Sequence, residues 1–110
     1  MKKEQRLKLK IKELKKEMNS LGDLFPGSLS QQWNICGNPG CKCKDKQKPI
    51  KHGPYYNVSY KFRGKSHTKF VRSELVEKFQ QYTDNFKRFR ECSDLLIGHY
   101  IELIKLRSQS

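Results

Sequence analysis

Long apolar runs are missing from this chain. No stretch approaches eighteen consecutive apolar residues, so no membrane span is expected. The first residues, MKKEQRLKLKIKELKKE, hold no apolar h-region, so no secretory signal is expected and the cytoplasm is the expected compartment. Thiols stay reduced there, and clustered cysteines hold metal more often than they pair with each other. Acid is also scarce, with 11 Asp and Glu against 24 Lys and Arg, for a net charge of +13. Asp23 is the one acid in residues 19–41 and Asp45 the one acid in 42–72, so no pair of carboxylates is available there for general acid–base work. His67 and His99 stand alone and read as surface or packed residues, and no enzyme is expected. Apolar residues make up only 35% of the 110, which promises a thin core. Thin cores recruit a staple, either a metal or a partner chain.

What is present is concentrated. Three of the four cysteines fall in CGNPGCKC, at Cys36, Cys41 and Cys43, with His52 nine residues after the last. Gly37, Pro39 and Gly40 make a knuckle in which backbone can approach a metal closely. Zinc takes four N or S ligands in a tetrahedron, and Cys36, Cys41, Cys43 and His52 form a Cys3His set for Zn2+. His67 and Cys92 compete for the fourth place, though Cys92 lies in a long helical pattern where a cysteine is usually a small buried hydrophobe. The plain alternative is a group of reduced surface thiols. A Cys3His site is closed and structural. Only if His52 were not a ligand would a water-filled fourth position bring hydrolysis back.

The positive charge clusters as well. Residues 1–18 hold eight Lys and Arg against three acids, residues 42–72 hold ten against Asp45, and residues 73–110 balance six against six. The blocks on and after the knuckle, Lys42, Lys44, Lys46, Lys48 and Lys51 and then Lys61, Arg63, Lys65, Lys69 and Arg72, form a candidate phosphate-binding set. Tyr55 and Asn57 share a strand face with Lys61, which makes base stacking on that face conceivable.

Periodicity supplies the elements. Leu7, Ile11, Leu14, Met18 and Leu21 step by four and three and predict a helix over 2–21, stopped by a left-handed Gly22. Pro26-Gly27 predicts a type II turn. Residues 28–35 alternate, with Leu29, Gln31, Trp33 and Ile35 on one face, and predict a strand running into Cys36. His52-Gly53-Pro54 reads as a turn. Residues 55–62 and 66–71 read as two strands around an Arg63-Gly64-Lys65 hairpin turn. Ser73 is placed as the N-cap of a helix running to the end, along Leu75, Phe79, Tyr82, Phe86, Phe89, Leu96, Tyr100 and Leu103. Ser93 interrupts that seam and Gly98 weakens it, so a break into two helices is the alternative.

The string GSLSQQWNICGNPGCKC, then HGPYYNVSYKFRGKSHTKFV, then a long helical pattern, resembles a group of short prokaryotic proteins of unknown function. Their pattern is a G-S-L strand, a C-G-x-P-x-C-x-C knuckle, H-G-P-Y-Y, a glycine hairpin and a helical tail, and it covers residues 27 to about 103 here. The resemblance implies Cys36, Cys41, Cys43 and His52 as the metal set, gives Cys92 no counterpart, and implies a setting beside transposases and other mobile-element genes. It implies no activity, and it leaves the lysine-rich first helix unexplained.

The expectation is an α+β fold: a three-stranded antiparallel sheet with a zinc knuckle, flanked by an N-terminal helix and a long C-terminal helix or two. Residues 1–24 would be the basic helix, 27–72 the knuckle and sheet, and 73–110 a coiled-coil-like segment. The expected function is that of a zinc-stabilised nucleic-acid-binding accessory protein of a mobile element, with DNA favoured over RNA. The competing reading is a protein-interaction module that forms a homodimer or docks a recombinase-type partner through its helices.

Overall fold

The computed structural model describes residues 2–34 and 52–109. It has an α+β fold: α1 (Lys3–Ser20), a three-stranded antiparallel sheet of β1 (Ser28–Asn34), β2 (His52–Phe62) and β3 (Lys65–Val71), and a long helix α2 (Val76–Arg107). The chain divides into two compact units, Met1–Phe25 with Asp84–Ser110, and Pro26–Thr83. No helix among the described residues is long and apolar enough to cross a membrane.

The first unit is a pair of antiparallel helical segments. Leu7 and Ile11 of α1 are buried together with Leu103 of α2, and Leu96, Tyr100 and Leu106 pack against them. This is the four-three seam brought face to face with its counterpart. Ion pairs tie both ends: the Arg107 Nε donates to Glu4 Oε1 at 3.1 Å, and Arg88 grips Glu17 through both Nε and Nη2, the latter at 2.8 Å from Oε1. A two-pronged guanidinium–carboxylate contact of this kind fixes the register of the two helices as well as adding charge attraction. The hydrogen bonds from Arg88 and Arg107 hold the Glu17 and Glu4 carboxyls below the usual carboxylate range. Cys92 is fully buried, and that burial pushes its thiol up. It fills the step that Ser93 left open in the seam, as a small apolar residue would.

Two local expectations fail here. α1 ends one residue early: Leu21 adopts extended backbone and its N–H donates to the Glu17 carbonyl at 3.2 Å, so Gly22 does not serve as a left-handed cap. Ser73 does not cap a helix. It opens a single 3-10 turn, Ser73–Leu75, and its hydroxyl donates to the Glu74 carboxylate at 3.4 Å. Of the two readings of the C-terminal segment, the single helix holds and the alternative break near Ser93–Gly98 does not occur. α2 runs 32 residues unbroken, about 48 Å at 1.5 Å per residue. Gly98 has no neighbour within 4 Å of where a Cβ would sit, so it costs the helix only its propensity.

The second unit is built on the sheet. Gly27 takes φ +106° at a bend just before β1, and a Cβ there would lie 2.1 Å from the Ser59 carbonyl oxygen. The β2–β3 hairpin closes through Arg63 and Gly64 at φ 50° and 80°, with Phe62 paired to Lys65. Two consecutive positive φ values are the mark of a two-residue type I′ turn, whose twist matches that of the strands. The expected turn at His52-Gly53-Pro54 is instead the start of β2: His52 pairs with Asn34 across the ladder, after a one-residue slip between Gln32 and Asn34. Gly53 permits that course, because a Cβ on it would stand 3.0 Å from the Trp33 ring and 2.9 Å from the Gln32 carbonyl.

Candidate nucleic-acid interface

Strand alternation gives the sheet two unlike faces. Val58 and Val71 lie on one, essentially inaccessible to solvent, with Leu29, Tyr56 and Tyr60 half-buried beside them. This is the core face. The ladder Ser30–Asn57–Phe70 belongs to the other, together with Ser28, Gln32, Tyr55, Ser59, Lys61, Ser66 and Thr68. No residue of that second set is buried. Asn57 Nδ2 donates to Gln32 Oε1 at 3.0 Å, and the Ser30 hydroxyl reaches the Asn57 carbonyl at 3.4 Å. Two aromatic rings stand out from this polar surface, Tyr55 at 38% exposure and Phe70 at 59%.

The register divides the cations predicted to act together. Lys61 lies on the open face. Lys65 and Lys69 lie on the Val58 face, at the hairpin end and the β3 edge, and Arg63 sits on the turn, its guanidinium 5.3 Å from the centre of the Phe62 ring. Arg72 continues the extended backbone beyond β3. All five are exposed, and none forms an ion pair with a described residue. Their charge is therefore unspent. By contrast Arg88 and Arg107, in the first unit, are committed to glutamates.

The remaining sequence-derived candidates, Cys36, Cys41, Cys43, Lys42, Lys44, Lys46, Lys48 and Lys51, lie outside the described residues. His52, the last of the metal set, is half-buried at the first position of β2. Among the described residues no group of three or more His, Cys, Asp or Glu is placed to hold a metal ion. His67, the rival ligand, stacks on Tyr60 with ring centres 5.0 Å apart, and Cys92 belongs to the helical unit.

Sequence reasoning passed over Phe70 and Gln32. The signal was present: once Arg63-Gly64 fixes the hairpin, counting back along the strands sets Phe70 opposite Asn57, on the face away from Val71.

The family model described as Domain of unknown function (DUF6788) matches residues 4–81. The matched stretch takes in nearly all of α1, the sheet and the first turns of α2. No curated protein and no solved structure matches the chain.

Proposed function

The chain belongs to the DUF6788 family, and we propose that within it this protein is a metal-stabilised nucleic-acid-binding accessory factor, with DNA as its first partner. The observation that carries the reading is the unneutralised charge of the sheet unit. Lys61, Arg63, Lys65, Lys69 and Arg72 are exposed with no acidic partner among the described residues, on a chain of net charge +13. Such a surface collects phosphates and releases their counterions, which gives affinity without sequence readout. Assignment to a mobile element rests on the CGNPGCKC and HGPYY resemblance alone.

Cys36, Cys41, Cys43 and His52 would hold the metal. The donor set suits zinc, which would supply a rigid four-coordinate crosslink and no reaction chemistry. The strand pairing suits it too. Asn34 and His52, the residues that flank 35–51 in the sequence, are partners across β1 and β2, and Cys36 follows Asn34 by two residues. A crosslink near that pair would tie β1 to β2 and add stability to a sheet with few buried side chains among the described residues.

Filter binding of a random-sequence duplex and a single strand between 50 and 200 mM salt tests the first part. Affinity falling linearly on a log–log plot supports it, and a flat line ends it. Zinc content of the purified chain with each of the four residues replaced in turn tests the second.

A second reading draws on a different observation. Ile97, Ile101 and Ile104, each half or more exposed, line with Tyr100 and Lys105 an apolar hollow of about 460 Å³ on α2. This stripe would serve a helical partner or a second copy, and a dimer would double a modest basic surface. Sedimentation at several concentrations separates a self-associating chain from a monomer.

A further inference from the structure

The exposed rings of Phe70 and Tyr55 are out of place on a face otherwise made of serines, threonine, amides and lysine. Resting on the nucleic-acid reading above, we infer that the open face of the sheet is a stacking platform for an unpaired strand, single-stranded DNA in the setting proposed. Phe70 lies directly across from Asn57, and Tyr55 is two residues from Asn57 along β2, so the two rings are diagonal neighbours on one face. Diagonal positions in an antiparallel pair are about 7–8 Å apart, within reach of aromatic side chains, so one strand can meet both rings.

The rings, the amides and the cations of the face each have a use in this arrangement. Every base has a π face, so stacking on Tyr55 and Phe70 tolerates any sequence. The Gln32 and Asn57 amides lie within the same patch, already joined to each other at 3.0 Å, and offer further donors and acceptors to base edges. Lys61 on the same face and Arg72 just beyond β3 supply phosphate contacts on the flanks. A duplex fits poorly, because its bases are already stacked on one another and present only their edges in the grooves. Neither stacking nor phosphate contact reads the sugar, so oligo-dT and oligo-U of equal length are expected to bind alike.

The test is fluorescence anisotropy with a labelled 20-mer of dT, a 20-mer of U and a 20-base-pair duplex, using the full chain and its Phe70→Thr, Tyr55→Thr and Phe70→Tyr variants. Loss of either ring should weaken single-strand binding about tenfold, Phe70→Tyr should restore it, and the single strand should outcompete the duplex. Equal binding of duplex and single strand, unmoved by either ring, overturns the platform and leaves the basic-surface reading standing. Binding to none of the three probes overturns both. A further arm needs no variant: photocrosslinking of an iodo-substituted dT oligomer to the unaltered chain must label Tyr55 or Phe70, and labels confined to other residues refute the platform.

Discussion

Consider removing the cations of the sheet in pairs chosen by face. Lys61 and Arg72 border the open face, whereas Lys65 and Lys69 lie on the Val58 side. A strand lying across Tyr55 and Phe70 meets the first pair and not the second. Each phosphate contact to a single strand contributes about 0.7 to the slope of log K against log salt. Lys61→Gln with Arg72→Gln should therefore flatten that slope by about 1.4. Over the fourfold change from 50 to 200 mM salt, the double variant should lose about sevenfold less affinity than the parent chain. Lys65→Gln with Lys69→Gln removes the same formal charge, and its slope should stay near the parent value. Anisotropy titrations at four or five salt concentrations measure both slopes. Net charge is matched, so long-range attraction cannot explain a difference between the pairs. Equal flattening by both pairs would show that charge acts without regard to face and would refute the placement of the strand.

Other consequences follow from the fold itself. Leu103→Ala, at the centre of the Leu7–Ile11 contact, should cost about 2–5 kcal/mol in a urea melt; a loss under about 1 kcal/mol would mean that the helices are not held by this cluster. Gly27→Ala should destabilise, because the new Cβ meets the Ser59 carbonyl at 2.1 Å with φ at +106°, whereas Gly98→Ala in open surroundings should stabilise by about 1 kcal/mol. Thermal melts that move in the same direction for both would contradict these backbone assignments. Glu4 and Glu17 have lowered folded-state pKa values, so the stability they contribute is complete above the unfolded carboxylate value of about 4.3 and is lost as pH falls through the lower folded values. Urea midpoints should thus fall on acidification below that point, and less so in Glu17→Gln; an identical fall in the variant would dismiss the Arg88 contact as a source.

Much of this architecture was readable in the residues because it follows from local rules. Arg63-Gly64 dictated the hairpin, alternation around Val58 dictated the core face, and the Leu7–Ile11 spacing dictated the buried side of α1. The failures occur where a non-local partner overrides a local preference. His52-Gly53-Pro54 has turn composition, but Asn34 is available across the ladder and draws His52 into β2. Alternation put Trp33 on one face with Leu29, which is half-buried, yet at the slip in the ladder Trp33 is 52% exposed and its ring lies against Gly53. Ser73 is the exception: its hydroxyl donates to the carboxylate of the next residue, Glu74, a local competitor for the cap. The candidate site was half legible for the same reason. Composition revealed the cations and alternation set Tyr55 and Asn57 beside Lys61, whereas only the register separates Lys61 from Lys65 and Lys69 and brings Phe70 beside Asn57.

The most direct measurement is a chemical-shift map of the isotope-labelled full chain titrated with a short dT oligomer. Perturbed amides are expected along the open-face positions of β2 and β3, with Tyr55, Asn57, Lys61 and Phe70 moving furthest and Ile97–Ile104 unmoved. No shift at saturating oligomer, or shifts gathered on α2 instead, would contradict the platform.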